Sequence, residues 1–515
     1  MNNGVAGMAS AADLVSTDLT TVPTVVRKVR DGYLTRRTLP RQYREGQLRA
    51  LQRMLTENKQ RWMDAFVKDL NKCEMEAVMT EINYCLNDIT HTLNHLDSWM
   101  ALRRVEKEFA NQFNDLYTYP EPYGVALVIG AWNYPLQLTV SPLIGAIAAV
   151  CNACIIKPSE LSVAISNLLA ELIPQYLDKD CYSVISGGVD VSQAVLKERF
   201  DYIFYTGSTP VGKLVMKQAA ENLTPVTLEL GGKSPCLVLG DANVEVAANR
   251  IVWGKCINAG QTCIAPDYIL CQREKQDKLV EACKKAITEF YGQDPKGNKD
   301  YGKIINRRHF DRLMSLIHST RGNVVFGGDA DEQKLKINPT LITDVTPGDS
   351  TMQEEIFGPI LPIIAINNME EAIEIINSKE KPLAMYVFSE SKRTLNRVIR
   401  ETSAGGVCHN DTLMHFSANT LPFGGVGHSG LGAYHGKFSF DTFTHQKPVL
   451  STSTGLEVVN KLVRYPPWTQ RKLQILGWVL SPSQKRSSFW PYLCLVLLVI
   501  LVAMAIQRYG LQFWH

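Results

Sequence analysis

Apolar positions change their spacing along the chain, and each spacing predicts a different kind of element. From Pro23 to about Met100, Leu48, Leu51, Leu55, Trp62, Phe66 and Leu70 recur near every third or fourth position with charges between them, which predicts packing helices. After the turn Tyr119-Pro120-Glu121-Pro122 the period is lost. Short, wholly apolar runs take over at Val125–Ile129, Cys154–Ile156, Tyr182–Ile185 and Tyr202–Tyr205, separated by helical stretches that include one over roughly Pro142 to Val150. Strands apolar on both faces, alternating with helices, predict a parallel sheet covered on both sides. The pattern repeats from Gly231 to about Pro448, with runs at Cys236–Leu239, Tyr268–Cys271 and Leu361–Ile366.

The two ends differ from this α/β pattern. Residues 1–22 are rich in Ser, Thr, Asn and Ala without periodicity and are expected to form a flexible lead-in. Beyond Tyr465-Pro466-Pro467 an apolar, partly amphipathic stretch runs from Leu473 to Leu480 among Arg471, Lys472 and Gln474. After Lys485-Arg486, the segment Phe489–Ile506 carries no charge, and at ~1.5 Å per residue it spans roughly 27 Å, close to a thin bilayer. Trp490, Tyr492, Arg508, Tyr509 and Trp514 supply interfacial residues at its two ends. A transmembrane helix over 487–507 is therefore expected, placed as a tail anchor with the preceding chain in the cytosol.

Composition narrows the function classes. At 515 residues, with 45% apolar and 20% charged residues, the chain is globular and large enough for two domains. A net charge of +3, without a dense basic run interleaved with aromatics, argues against nucleic-acid binding. The twelve cysteines are scattered, and Met1–Thr20 lacks the apolar core of a secretory signal, so the catalytic part is expected in a reducing compartment. The only close pair, Cys151 and Cys154, lies in an apolar run with no partner pair at ligand spacing. Both are read as small core residues, and no metal site is expected.

In parallel sheets ligands bind beyond the carboxyl ends of the strands, which directs attention to the residues following each apolar run. Gly260-Gln261-Thr262-Cys263 places a cysteine after a polar, glycine-started turn whose backbone N–H groups favour the thiolate. Upstream, Glu229 stands between Leu228 and Leu230, just before Gly231-Gly232, where a structural acid is rare. Gly207, Ser208, Thr209, Pro210, Val211 and Gly212 follow another run and open a helical stretch. That arrangement suits a pyrophosphate, although Thr209 stands where the common dinucleotide pattern has glycine, and taken alone the segment is better read as a plain strand-to-helix turn. Glu160 is the right type to accept from ribose hydroxyls, with a solvated surface carboxylate as the alternative.

Taken in order and spacing, several of these segments resemble the aldehyde dehydrogenase superfamily, in particular its class 3 branch with the membrane-anchored fatty aldehyde dehydrogenases. The resemblance covers about Pro23 to His445. It rests on Ala131-Trp132-Asn133-Tyr134-Pro135, Ile156-Lys157-Pro158-Ser159-Glu160, Phe204-Tyr205-Thr206-Gly207-Ser208, Leu228-Glu229-Leu230-Gly231-Gly232-Lys233, Gly260-Gln261-Thr262-Cys263, Glu354-Glu355-Ile356-Phe357-Gly358-Pro359 and Pro422-Phe423-Gly424-Gly425. Ala259 departs from the branch, whose members often carry cysteine there.

The resemblance implies a Rossmann-like NAD-binding domain over 23–230 with an oligomerisation segment near 101–122. It further implies an α/β catalytic domain over 231–448 that includes the returning oligomerisation segment, then an amphipathic extension over 449–486 before the anchor. Cys263 is implied as nucleophile, Glu229 as general base and Asn133 as oxyanion donor. Gly207 to Gly212 would flank the cofactor pyrophosphate, Lys157 and Glu160 the adenosine ribose, and Glu355 with Phe357 the nicotinamide ribose, while Lys233 is read as structural. The cofactor expected is NAD, with NADP admitted, and the partners are an aldehyde, a second copy of the chain and the membrane. The anchor favours long-chain aldehydes and the endoplasmic reticulum. Two other readings stand beside this one: a reductase of acyl phosphates or thioesters, disfavoured by Glu229, and a catalytically silent membrane-tethered binding protein, disfavoured by the joint presence of Cys263, Glu229 and Asn133.

Overall fold

The computed structural model describes residues 14–108, 111–112, 114–149 and 152–480. Its described residues fall into two compact units, one within Met1–Met100 and Glu121–His445, the other within Ala101–Pro120 and Gln446–His515. The first unit opens with four long helices, α1 (Val22–Leu34), α2 (Arg41–Glu57), α3 (Lys59–Leu70) and α4 (Asn83–Met100). Leu48, Leu51, Leu55, Trp62 and Phe66 are fully buried along α2 and α3, so the three-to-four spacing marks the face turned to the core.

Two parallel sheets follow. The first contains β1 (Val125–Ile129), β2 (Ala153–Lys157), β3 (Tyr182–Val184), β4 (Tyr202–Thr206) and β5 (Val226–Glu229). The second contains β6 (Pro235–Val238), β7 (Tyr268–Gln272), β8 (Asn323–Phe326), β9 (Thr340–Thr343), β10 (Ile360–Ile366), β11 (Ala384–Phe388) and β12 (Gly406–His409). A short return strand, β13 (Gly430–Leu431), pairs antiparallel with β5 and gives the first sheet the order β13-β5-β4-β1-β2-β3. The second sheet runs β8-β9-β10-β7-β6-β11-β12, parallel except for the pairing of β8 with β9. Every residue of β1, β2 and β4 is buried, because helices cover both faces and leave no solvated side to demand polar alternation. Leu127, fully buried at the middle of β1, contributes about 2 kcal/mol by its burial alone.

The chain order in the first sheet reverses between β1 and β4, which places a crevice beyond the ends of those two strands. The residues after β1 are Gly130–Tyr134 and those after β4 are Gly207 and Ser208. The helix after β1, α5 (Gln137–Ala148), starts five positions before the expected Pro142 and contains that proline. The reason is tertiary: Glu81 accepts from the N–H groups of Leu136 and Gln137 at 3.1 and 2.9 Å, capping the helix from a distant segment.

The expected flexible lead-in over 1–22 differs where it is described. Val15 N donates to Asn167 Oδ1 at 2.9 Å, Thr17 N donates to Ser186 O at 2.8 Å, and Val22 is buried at the start of α1. Main-chain hydrogen bonds to a distant loop leave no trace in local composition, so polarity alone misplaced the start of the attached chain. Cys154 is buried in β2, while Cys151 lies outside the described residues.

The second unit holds a three-stranded sheet in the order Arg103–Arg104, Asn114–Pro122, Thr444–Thr452, and the helices Glu457–Val463 and Gln470–Leu480. In the last helix Leu473, Ile475 and Leu480 are exposed. Among the described residues no helix is long and apolar enough to cross a membrane, and the segment expected to do so, 487–507, lies outside them.

Candidate active site

Cys263 lies at the end of an unusual turn. The helix Val244–Cys256 ends immediately before it, and Asn258, Ala259 and Gly260 then take φ values of 51°, 51° and 74°. Two non-glycine residues in the left-handed region cost ~1–3 kcal/mol each unless neighbours hold them there. Those neighbours are present. Glu76 accepts from Asn258 N, and the Asn258 side chain donates to Asn133 O at 2.8 Å and to Gln261 O at 3.0 Å. The Gln261 side chain donates to Asn258 O and Lys303 O and accepts from Ile305 N. Gly260 is required sterically, since a Cβ there would lie 2.3 Å from Gly358 O.

The turn presents a partly exposed thiol, whereas Cys154, Cys236, Cys256, Cys271 and Cys283 are buried. Burial around the Sγ atom pushes the Cys263 thiol well up, reinforced by the carboxylates of Glu355 and Glu229 and opposed by the N–H groups of Cys263 and Ile264. Glu229 ends β5 and is 3% exposed; among the described residues neither carboxylate oxygen has a hydrogen-bond partner. Its burial raises the carboxyl well above the ordinary range. An unpartnered buried carboxyl that acts electrostatically on the partly exposed cysteine is an expensive feature unless something else is to occupy the space.

Asn133, 3% exposed, donates its amide to Gln261 O at 3.1 Å. One of its two amide protons is thereby committed and the other is left over. Tyr134, the next residue, shares a 2.6 Å hydrogen bond with the Thr262 hydroxyl, so the loop after β1 and the cysteine turn are joined twice.

The remaining expected residues surround the crevice of the first sheet. Ser208 precedes the helix α6 (Thr209–Ala220) in extended backbone conformation, with Pro210 in the first turn, and the Thr209 hydroxyl donates to His428 O at 3.0 Å. The first N–H groups of a helix have no partner within it and favour an anion. Gly212 allows the helix to pack closely on the sheet, because a Cβ would lie 2.7 Å from Leu230 Cδ2. Val211 is exposed and Gly207 N donates to Glu229 O at 3.0 Å. Lys157, buried at the end of β2, donates to Glu160 Oε2 and to Pro158 O, each at 3.1 Å; Glu160 keeps a third of its side chain exposed.

Glu355 and Phe357 reach the site through a buried ionic support. Lys233 donates to Asp267 at 2.5 Å, to Thr351 O at 2.8 Å and to Glu354 O at 3.0 Å, and Asp267 accepts from Ile356 N at 3.1 Å. Glu355 lies against Gly231, and burial raises its carboxyl to about 8, with Asp267 adding to the shift. Phe357, at φ 51°, packs edge-on to Trp132 with centroids 5.3 Å apart. Glu76, Lys72, Glu81 and Asn258 carry no mark in the sequence. Each acts through a contact distant in sequence, and none lies in a pattern of its own.

A helix N-terminus and a Lys–Glu pair beyond the strand ends of a parallel sheet have the position and the donors of a dinucleotide-binding crevice. Comparison with known proteins gives the family: the aldehyde dehydrogenase family profile matches residues 10–449, and the chain belongs to that family. It is 50% identical over 480 residues to aldehyde dehydrogenase family 3 member A2 of Rattus norvegicus, covering 93% of this chain and 98% of that protein. It is also 50% identical to a Mus musculus protein named aldehyde dehydrogenase, dimeric NADP-preferring, over 87% of this chain and 98% of the relative. The substrate-bound structure of Staphylococcus aureus AldH superposes with a TM-score of 0.86 at 44% identity, covering 89% of this chain and 99% of that one. The chain is an NAD(P)-dependent aldehyde dehydrogenase.

Proposed function

We propose that this enzyme oxidises long-chain aliphatic aldehydes to fatty acids through a covalent adduct on Cys263. The observation that carries the chemistry is the unpartnered, buried carboxyl of Glu229 beside the partly exposed Cys263 thiol. The Cys263 thiol gives its proton to solvent, the thiolate attacks the aldehyde carbon, and the oxyanion of the resulting thiohemiacetal accepts hydrogen bonds from the uncommitted amide N–H of Asn133 and the backbone N–H of Cys263. NAD(P), when bound, supplies the hydride acceptor that leaves a thioester on the sulfur. Glu229, once ionised, removes a proton from water, the hydroxide adds to the thioester carbon, and the acid leaves as the Cys263 thiolate is released.

The cofactor is assigned to the crevice of the first sheet, within 23–230. Ser208, Thr209, Pro210 and Val211 at the helix start receive the pyrophosphate, with Gly207 and Gly212 permitting close packing. Lys157 and Glu160 take the adenosine ribose, and Glu355 with Phe357 the nicotinamide ribose. Catalytic residues from 231–448 complete the site, and the segments near 101–122 and 444–452 join two copies as a homodimer.

Chain-length preference is argued from the tail. Residues 487–507 are assigned as a tail anchor in the endoplasmic reticulum membrane, with the catalytic part in the cytosol and Lys485-Arg486 on the cytosolic flank. Each CH₂ of a fatty aldehyde favours the bilayer by ~0.8 kcal/mol, so an anchored enzyme meets its substrate where it concentrates. The exposed Leu473, Ile475 and Leu480 supply apolar surface in the extension 449–486 that leads to this anchor. Two measurements test the reading. Cys263→Ala should abolish NADH formation while NAD still binds. Removal of residues 487–515 should yield a soluble enzyme active on medium-chain aldehydes and impaired on membrane-dissolved hexadecanal. Oxidation by Cys263→Ala, or a full-length preference for benzaldehyde, would overturn the chemistry or the substrate respectively.

A further inference from the structure

The loop carrying Asn133 and the turn carrying Cys263 share a buried support that plays no part in the reaction steps above. Lys72, whose side chain is 0% exposed, donates to Glu81 at 2.6 Å and to Asn133 O at 3.3 Å, with its ammonium 4.2 Å from the Tyr134 ring centroid. Glu81, also 0% exposed, turns its second oxygen to Leu136 N and Gln137 N, fixing where the Asn133 loop enters α5. Glu76, on the short helix Glu74–Ala77, accepts from Asn258 N at 3.2 and 3.4 Å at the start of the left-handed turn. Asn133 O thus has two donors, the Lys72 ammonium and the Asn258 side-chain amide.

A buried ion pair adds little stability over an apolar pair of the same volume. What these charges supply is direction, because each hydrogen bond fixes a backbone atom of one of the two loops that meet at the oxyanion position. We propose that Lys72, Glu81 and Glu76 are positioning residues for the oxyanion site: they hold the Asn133 main chain and the Asn258–Gly260 turn in register, so that the free amide proton of Asn133 and the N–H of Cys263 converge on one oxygen. This rests on the reading of Asn133 as the oxyanion donor. Burial lifts the Glu76 carboxyl to about 7, and Lys72 opposes that shift.

The test compares Glu76→Ala, Glu76→Gln, the pair Lys72→Met with Glu81→Gln, and Asn133→Ala in the full-length enzyme, by kcat, KM for aldehyde and Kd for NAD. Asn133→Ala is expected to lower kcat about 100-fold, the effect of one oxyanion donor. Glu76→Ala is expected to lower kcat about tenfold or more with NAD affinity unchanged, and Glu76→Gln to restore most of it, because its amide oxygen still accepts from Asn258 N. Combined with Asn133→Ala, Glu76→Ala should add no further loss, as expected for residues acting through one group. Should Glu76→Ala fail to fold, the Lys72→Met and Glu81→Gln pair carries the same expectation and decides in its place. A normal kcat in these variants beside a damaged Asn133→Ala would overturn this inference and leave the oxyanion reading standing. An undamaged Asn133→Ala would overturn both, and a loss of NAD binding parallel to the loss of kcat would reduce the trio to fold maintenance.

Discussion

Asn133 donates its side-chain amide to the main-chain oxygen of Gln261 at 3.1 Å, across the junction between the first strand loop and the cysteine turn. The bond orients the amide, commits one proton and leaves the second for a developing negative charge. Replacing Asn133 by Asp should therefore be more damaging than its near-identical size suggests. The carboxylate cannot donate to Gln261 O and repels an oxyanion, so kcat should fall by ~100-fold or more, measured by steady-state NADH production.

Glu229→Gln separates hydride transfer from hydrolysis. The amide keeps the volume of the buried carboxyl but cannot take a proton from water. A pre-steady-state burst of NADH followed by slow turnover is expected, and loss of the burst would show that Glu229 also activates Cys263. In the unsubstituted enzyme the acid is raised by burial, so the deacylation rate should climb with pH as Glu229 ionises, and this limb should be absent in the variant.

Lys157 and Glu160 lie 3.1 Å apart at the end of β2. Glu160→Gln removes an acceptor for a ribose hydroxyl and a charge that repels a 2′-phosphate. NAD affinity should weaken about tenfold and NADP affinity much less, read from the Kd of each cofactor. An unchanged ratio would place Glu160 among ordinary surface carboxylates.

Gly260→Ala should destabilise the fold as well as the site. With φ at 74° and Gly358 O at 2.3 Å from the added carbon, the turn must move. A loss on the order of 2 kcal/mol or more is expected in denaturant unfolding, together with slower alkylation of Cys263 by iodoacetamide.

His415 stacks on Phe423, and among the described residues neither ring nitrogen has a hydrogen-bond partner. Burial lowers its pKa to about 4 from an ordinary 6.5. Below 6.5 the unfolded chain takes up a proton that the folded chain refuses, so this residue costs stability progressively as pH falls from about 6.5 to about 4. His415→Phe should remove that cost, and the stability of the variant relative to the parent should rise over that window and stay level above it. Thermal unfolding at a series of pH values measures the difference, and a constant difference would show that His415 is not buried neutral.

The sequence by itself determined the strands and the chemistry that sits at their ends. Val125–Ile129 and Tyr202–Thr206 are legible because a strand buried on both faces has no polar alternation, and Glu229 and Cys263 because a carboxylate or a thiol beside a glycine turn stands out from its neighbours. Tertiary structure decided how those ends meet. Glu81 moves the start of α5 from Pro142 to Gln137, and Val15 and Thr17 attach a segment whose composition reads as free. Asn258 and Ala259 adopt left-handed backbone that their residue types do not demand. In each case the deciding group is a hydrogen-bond partner far along the chain, held in place by the burial of everything around it. Local pattern records which residues prefer to be buried, but the direction of a single donor or acceptor is fixed only when the whole core has closed.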